Sequence, residues 1–309
     1  MKKEIDLSIT LGKLKLRNPV LAASGTFGYG TEYSELVKVS ELGGVVAKTV
    51  TLESRLGNPP PRLAETPSGL LNCIGLDNVG WEVFRSEKLP ALRKLGTAII
   101  VSIAGRTKEE FVSLAKNVSR EKGVAAIELN LSCPNVEYAG EKELCFAQDV
   151  QATRQIVKSV RLAAKLPLIA KLSPNVTDIG EIAKVCEKAG ADILSLVNTF
   201  LGMAIDVQKR KPKLSVITGG LSGPAIRPLA LRCVWQVSQV CSLPIIGLGG
   251  IQDTNSALEF IFAGASAVAV GTANFIDPQT ALKIKEGIKS YMQNNGISRF
   301  RDLVGRIKV

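Results

Sequence analysis

Short apolar runs rich in Val, Ile and Ala alternate along this chain with longer segments in which apolar residues recur every three to four positions. Continuous apolar runs are typical of strands buried in a parallel sheet, and the longer period is that of amphipathic helices. The alternation therefore predicts an α/β protein built from repeated strand–helix units. Eight strands are expected, at residues 20–24, 45–50, 98–104, 125–132, 168–173, 193–198, 245–249 and 267–272.

Repeated junctions between helix and strand favour a closed (β/α)8 barrel over an open sheet. Residues 188–194 and 262–268 each contain an apolar helix end, a glycine suited to the left-handed cap position and the start of a strand. Before the first strand, residues 5–10 and 13–17 flank a turn at 11–12. This pattern predicts a short N-terminal β-hairpin that closes the bottom of the barrel.

Three segments are too long to be tight connections, at residues 51–80, 133–149 and 199–226. Each follows the carboxyl end of a predicted strand. In a (β/α)8 barrel the connections at that end form the catalytic face. We therefore expect these long insertions and the neighbouring strand ends to carry the chemistry.

Length and composition agree with one large domain spanning residues 1–309. Of the 309 residues, 46% are hydrophobic and 22% are charged, which is enough for a full core. No stretch approaches the ~18 consecutive apolar residues of a membrane span, and no apolar run follows the basic N-terminal residues. A cytoplasmic protein without membrane contact is expected. The six cysteines include no Cys-x-x-Cys pair, which argues against disulfides, an iron–sulfur cluster or another metal site on this chain.

The net charge of +11 has several explanations. They are an even excess of Lys and Arg that maintains solubility, steering of an anionic substrate and cofactor, docking on an acidic partner, and nucleic-acid binding. The basic run at residues 209–213 is short and has no aromatic residues between its charges. This composition argues against nucleic acid.

The chain contains no histidine, so proton transfer falls to Cys, Lys, Tyr or a carboxylate. Cys133 is the strongest candidate because it ends the fourth predicted strand, precedes Pro134 and has Asn130 and Asn135 nearby. A thiol at such a position is open to activation by a nearby cation or a cofactor. For the other cysteines a buried apolar role is expected.

Lysine, asparagine and glycine residues at other strand ends indicate a site for a planar, anionic ligand. Lys48 and Lys171 follow apolar runs, where a lysine either extends to the barrel rim or neutralises a bound anion. Glycine-rich turns at residues 247–250 and 271–272 follow the last two strands, where such barrels often bind phosphate. FMN suits a site with these groups. Amides that match the C=O and N–H groups of a heterocycle are Asn72, Asn130, Asn135 and Asn198.

A series of ordered motifs resembles the class 1 dihydroorotate dehydrogenases, in particular the catalytic subunit of the B type. The resemblance runs from residue 18 to residue 272 and implies a TIM barrel that binds FMN and oxidises dihydroorotate to orotate in pyrimidine biosynthesis. The motifs are Ala-Ser-Gly-Thr-Phe-Gly at 23–28, Lys-Thr at 48–49, Asn-Pro-Pro-Pro-Arg at 58–62, Asn-Cys-Ile-Gly-Leu-Asp-Asn at 72–78, Asn-Leu-Ser-Cys-Pro-Asn at 130–135, Lys-Leu-Ser-Pro-Asn at 171–175 and Gly-Gly-Leu-Ser-Gly-Pro-Ala at 219–225.

The resemblance also implies a role for individual residues. Cys133 would take the C5 proton of dihydroorotate while a hydride leaves C6 for FMN, and Lys171 would lie near the N1/O2 edge of the flavin. The substrate would be bound by Lys48, Asn72, Cys73, Ile74, Gly75, Leu76, Asn130, Asn135, Asn198 and Thr199. FMN would be bound by Ser24, Lys48, Thr49, Ser102, Asn130, Lys171, Val197, Gly223, Gly249, Gly250, Gly271 and Thr272.

Two features depart from the family pattern. Ser102 stands where the family usually has a flavin-contacting Asn, and residues 137–145 replace a more glycine-rich loop that is expected to cover the substrate. B-type enzymes pass electrons to NAD through a partner subunit that carries FAD and an iron–sulfur cluster. The resemblance therefore implies a homodimeric core within a heterotetramer.

Three alternative functions stay open at this point. An A-type dihydroorotate dehydrogenase would use fumarate as the electron acceptor. A tRNA dihydrouridine synthase also combines FMN, a barrel, a Cys-Pro loop and basic charge, but carries a helical RNA-binding domain, whereas only residues 277–309 follow the eighth predicted strand here. A dihydropyrimidine dehydrogenase component shares the barrel chemistry but usually differs just after Cys-Pro.

Overall fold

Eight parallel strands form a closed barrel in the computed structural model, which describes residues 5–131, 137–138, 141–142 and 146–308. Each strand pairs with the next, and β8 pairs with β1 to close the barrel. The predicted (β/α)8 barrel is confirmed. In chain order the strands are β1 (Val20–Ala22), β2 (Gly44–Val46), β3 (Ala98–Ile103), β4 (Val124–Asn130), β5 (Leu168–Lys171), β6 (Ile193–Leu196), β7 (Ile245–Gly247) and β8 (Ala267–Val270).

The observed strands end earlier than predicted, most of them by two residues. The apolar run continues beyond the regular ladder because the next residues line the top of the barrel. Val197, for example, follows β6 and still donates a backbone hydrogen bond to Leu248 O, which follows β7. Periodicity therefore located the strands but not their carboxyl ends.

Helices cover the outside of the barrel. Side chains at the helix starts accept hydrogen bonds from free backbone N–H groups, as at Thr107, Asp178 and Asp253. Gly190 ends one helix with φ +98°, which confirms the predicted left-handed cap. The α-helices are Gly80–Val83, Leu89–Arg93, Lys108–Ser119, Val150–Ala163, Ile179–Ala189, Arg227–Ser238, Thr254–Phe262, Ala273–Ile276 and Thr280–Asn294, with a π-helical turn at Phe84–Lys88 and 3₁₀ helices at Thr31–Tyr33, Val39–Glu41, Phe146–Gln148, Pro224–Ile226 and Phe300–Leu303.

An N-terminal hairpin closes the bottom of the barrel, as the sequence predicted. Ile9–Leu11 pairs antiparallel with Leu14–Leu16 through a turn at Gly12, whose φ is +56°. The buried side chains of Leu11, Leu14 and Leu16 pack in the same cluster as the inward-facing residues of the barrel strands.

The inside of the barrel changes from apolar to polar toward the carboxyl ends of the strands. The lower level contains residues such as Ile100, Ala126 and Ile169, all buried in one apolar cluster. Side chains alternate along a strand, so the residue two positions further along the same strand also faces inward, closer to the carboxyl end of that strand. Four such residues are buried and polar: Ser102, Glu128, Lys171 and Ser195.

Two of the long insertions meet in one antiparallel sheet. Its strand order is Phe200–Gly202, Gly219–Ser222, Gly69–Asn72 and Leu63–Thr66, so two strands from 199–226 lie beside two strands from 51–80 in a single sheet. Two further strand pairs are Ile205–Asp206 with Lys211–Pro212 and Glu137–Tyr138 with Glu141–Lys142. None of the helices that the structure describes is both long and apolar enough to cross a membrane.

Candidate active site

Two adjoining cavities, of about 90 and 340 Å³, open at the carboxyl ends of the barrel strands. The larger one falls within the size range of small-molecule sites. Together they form a single two-part site, because the residues that line both are Ser24, Thr26, Lys171, Asn198, Thr199 and Ser222.

The smaller cavity is bounded by glycine-rich backbone from three segments. Gly223, Gly249 and Gly250 have φ values of +90°, +129° and +78°, which residues other than glycine rarely adopt. No backbone carbonyl of the described residues accepts a hydrogen bond from the N–H of Gly249 or Gly250. Nearby hydroxyls add polar contacts, since Thr272 Oγ1 lies 2.8 Å from Ser222 Oγ. This chemistry suits a phosphate group.

The larger cavity carries a cluster of opposite charges on its wall. Lys48 Nζ lies 3.9 Å from Asp77 Oδ2, and Arg62 Nη1 lies 3.0 Å from the same oxygen. Arg62 Nη2 also donates to Leu56 O at 2.7 Å. The two cations outnumber the carboxylate, which leaves the wall suited to a ligand carboxylate.

Amide and hydroxyl side chains form a hydrogen-bonded row that extends from the larger cavity to the buried Ser102. Asn130 Nδ2 donates to Thr49 Oγ1 at 3.2 Å, and Thr49 Oγ1 lies 3.0 Å from Ser102 Oγ. Asn198 Nδ2 lies 3.4 Å from Asn130 Oδ1, and Asn72 Nδ2 donates to Gly220 O at 3.1 Å. These bonds orient the amides, and a set of preorganised amides suits a planar ligand with C=O and N–H groups.

The backbone of the insertion at 51–80 has an unusual conformation where it borders the larger cavity. Leu76 has φ +58°, in the left-handed region that residues with a side chain rarely adopt, and it follows Gly75 with φ +73°. Both residues line the larger cavity. Backbone strain of this kind is concentrated at ligand sites in proteins.

Most of the predicted site residues line the two cavities. Cys73 and Ser102 do not, because both are fully buried: Cys73 Sγ lies 3.6 Å from Ser215 Oγ, and Ser102 reaches the site only through Thr49. Cys133 and Asn135 lie outside the described residues. Those that line a cavity are Ser24, Lys48, Thr49, Asn72, Ile74, Gly75, Leu76, Asn130, Lys171, Val197, Asn198, Thr199, Gly223, Gly249, Gly250, Gly271 and Thr272.

Three cysteines have properties that suit a structural role. Burial raises the pKa of Cys186 to about 12, and burial also raises the pKa values of Cys233 and Cys241. Their thiols therefore stay protonated at neutral pH. The described residues contain no group of three or more His, Cys, Asp or Glu that would hold a metal ion.

Several residues of the site received no role from the sequence. Arg62 and Asp77 belong to the quoted motifs, but their ion pair joins positions 15 residues apart and has no signal in the local pattern. Glu128 had a visible signal, since it is a charged residue at an inward position of an otherwise apolar strand. Further residues that line the cavities are Thr26, Ser222, Gln252 and Phe275.

Comparisons with known proteins agree with the geometry. The sequence profile of the family described as dihydroorotate dehydrogenase matches residues 6–292. Three curated relatives all carry the name dihydroorotate dehydrogenase B (NAD(+)), catalytic subunit. They come from Geotalea daltonii (53% identical, covering 98% of this chain and 99% of the relative), Desulforamulus reducens (52%, 98% and 98%) and Bacteroides thetaiotaomicron (47%, 98% and 99%).

Proposed function

Because this chain belongs to the dihydroorotate dehydrogenase family, a family of oxidoreductases, we propose that it oxidises dihydroorotate to orotate with FMN as its bound flavin. The single observation that carries the proposal is the two-part site: a glycine-bounded cavity suited to phosphate adjoins a cavity with a cationic wall and a row of amides. Such a site accepts a flavin and a small planar carboxylate side by side. A single FMN-binding barrel domain over residues 1–309 is part of this proposal.

The residues of the smaller cavity fit the phosphate end of FMN. The N–H groups of Gly249 and Gly250 are available for the phosphate oxygens, and their positive φ values keep the backbone close to the ligand. Ser24, Thr49 and Lys171 line the adjoining larger cavity, where polar groups can bind the ring system. When bound, FMN supplies an acceptor for the two electrons that leave C6 of the substrate with its hydrogen.

The residues of the larger cavity fit dihydroorotate. Lys48 is assigned to the substrate carboxylate, because its ammonium is held on the wall by Asp77 at 3.9 Å and is only partly buried. The amides of Asn72, Asn130 and Asn198 are assigned to the ring C=O and N–H groups. Together these contacts fix the ring plane and exclude water from the reacting carbons.

Cys133 is assigned the role of the general base that removes the C5 proton. The residue lies outside the described residues, so the assignment depends on the Asn-Leu-Ser-Cys-Pro-Asn motif and on the position of Asn130 at the end of β4, in the larger cavity. Within residues 5–131 and 146–308, the cavity linings contain no cysteine. The lack of histidine leaves few other groups for proton transfer near neutral pH.

We assign NAD as the electron acceptor on the basis of the relatives' names. These names include NAD(+) and "catalytic subunit", which supports the B type over the fumarate-using A type and supports a partner subunit. We propose that this partner carries FAD and an iron–sulfur cluster and joins a homodimeric core of this chain in a heterotetramer in the cytoplasm. The tRNA dihydrouridine synthase and dihydropyrimidine dehydrogenase alternatives receive no support from these relatives.

Purification from the native host tests the proposed function. The expected result is a yellow protein that contains FMN, copurifies with an iron-bearing subunit and reduces NAD when dihydroorotate is added. Dihydrouracil, which lacks the carboxylate, should be a much poorer substrate because it gains nothing from Lys48. A homogeneous protein without an iron-bearing subunit that turns over dihydroorotate with fumarate would favour the A type, and equal turnover of dihydrouracil would contradict the carboxylate assignment.

A further inference from the structure

A buried carboxylate lies next to the lysine that lines both cavities. Glu128 is 2% exposed, and its Oε1 lies 4.0 Å from Nζ of Lys171, which is 6% exposed. Glu128 Oε1 has no hydrogen-bond partner among the described residues. A buried carboxylate oxygen without a hydrogen bond destabilises the fold, and its presence in a native protein requires an explanation.

The strand register shows on which side of Lys171 this carboxylate lies. Lys171 of β5 pairs with Asn130 of β4, whereas Glu128 pairs with Ile169, one inward level closer to the bottom of the barrel. On its other flank Glu128 pairs with Ser102 of β3, which is neutral. Glu128 lines neither cavity. It therefore faces Lys171 from the side opposite to the ligand site.

We propose that Glu128 is a positioning residue that holds the Lys171 ammonium at the floor of the flavin cavity and limits the positive potential that Lys171 exerts on the flavin. The inference rests on the proposed function, because it requires a flavin in contact with Lys171. The 4.0 Å separation is longer than the ~2.7–2.9 Å of a charge-assisted hydrogen bond. Glu128 thus attracts the ammonium without a direct hydrogen bond, so the N–H donors of Lys171 stay available to the ligand.

This arrangement has a consequence for the reduction of the flavin. Reduced flavin gathers negative charge, and a lysine beside it makes reduction more favourable. A carboxylate behind the same lysine opposes that effect, because Coulomb interactions are strong in a site shielded from water. Glu128 therefore lowers the reduction potential below the value that Lys171 alone would give.

The test is the reduction potential of FMN in the Glu128→Gln holoenzyme, measured anaerobically against a reference dye. Glutamine keeps the shape of the side chain and removes its charge. The reduction equilibrium should shift about tenfold toward reduced flavin, which corresponds to roughly +30 mV for a two-electron couple. Ser195→Ala is the matched control, because Ser195 is a buried neutral residue that pairs with Lys171 from the neighbouring strand β6. Its potential should equal that of the wild type.

A Glu128→Gln potential equal to the wild-type value overturns the inference, as does a shift of the same size in Ser195→Ala. If Glu128→Gln does not fold, Glu128→Asp replaces it: retraction of the carboxylate by one methylene should shift the equilibrium in the same direction by a smaller factor, and an unchanged potential there also overturns the inference. Failure of the proposed function is separable, since it shows as wild-type protein that binds no flavin or whose flavin dihydroorotate does not reduce.

Discussion

Replacing Gly250 by alanine places a methyl group between two segments that bound the smaller cavity. The new Cβ would lie 2.8 Å from Gly223 O and 2.8 Å from Arg227 Cβ, closer than Cβ atoms approach other atoms in proteins. The left-handed conformation of Gly250 adds about 1–2 kcal/mol for a residue with a side chain. The overlap adds about 1–3 kcal/mol, as in other overpacked sites.

The overlap is expected to weaken FMN binding, because it is relieved when the turn after β7 separates from the segment at Gly223. If the full energetic cost of the overlap is lost from the free energy of FMN binding, FMN affinity falls by about five- to 140-fold. Gly296→Ala is the matched control: Gly296 has φ +67°, but its added Cβ has no atom within 4 Å. That variant should have a lower free energy of unfolding than the wild type and bind FMN with wild-type affinity. Fluorescence titration of each apoprotein with FMN measures both affinities, and equal affinities for the two variants would refute the reasoning.

Three further predictions concern the base, the anion site and acid stability. Cys133→Ala should keep its FMN. Because the variant lacks the general base, its flavin should be reduced by dihydroorotate about 10²–10⁴-fold more slowly in anaerobic stopped-flow absorbance at neutral pH. An unchanged rate would refute that role. Lys48→Met should weaken orotate binding, measured by the flavin spectral shift, by about tenfold or more, while the binding of uracil changes little. An equal loss of affinity for both ligands would place the carboxylate elsewhere. Hydrogen bonds from Lys285 and then Lys38 lower the pKa of Glu41 from its ordinary 4.5 to about 2, so the stability that Glu41 contributes is complete above pH 4.5 and is lost as the pH falls toward 2. Glu41→Gln should accordingly be less stable than the wild type at neutral pH in urea unfolding and equally stable near pH 2, and a difference that persists at that pH would contradict the assignment.

The fold was predictable from the sequence because its determinants are local. The eight strands are short apolar runs, and the glycines that end helices or cross the hairpin turn have positive φ values at Gly12, Gly190 and Gly264. The smaller cavity was predictable for the same reason, since three of its four glycines lie directly after β7 and β8. The antiparallel sheet at the catalytic face was not predictable from the sequence, because its central pairing joins Asn72 to Gly220, 148 positions away.

The polar contacts of the site were predictable only in part. Lys48 and Lys171 were visible as lysines after apolar runs, and both line the larger cavity. The carboxylates that pair with these lysines were not predictable. Asp77 approaches Lys48, and Glu128 approaches Lys171, only once the barrel and its insertions have folded. The contact of Ser102 with Thr49 likewise depends on the packing of β3 against the end of β2. Side chains from distant segments meet only in the folded chain, so the local sequence pattern does not predict which side chains will be in contact.

Anaerobic titration of the purified protein with dihydroorotate tests the central claim most directly. The flavin absorption band and the formation of orotate are followed together, with no electron acceptor present. If the proposed function is correct, the band bleaches in proportion to added dihydroorotate, and one orotate appears for each flavin reduced. A protein that holds FMN, yet shows an unchanged band and no orotate after excess dihydroorotate, would contradict it.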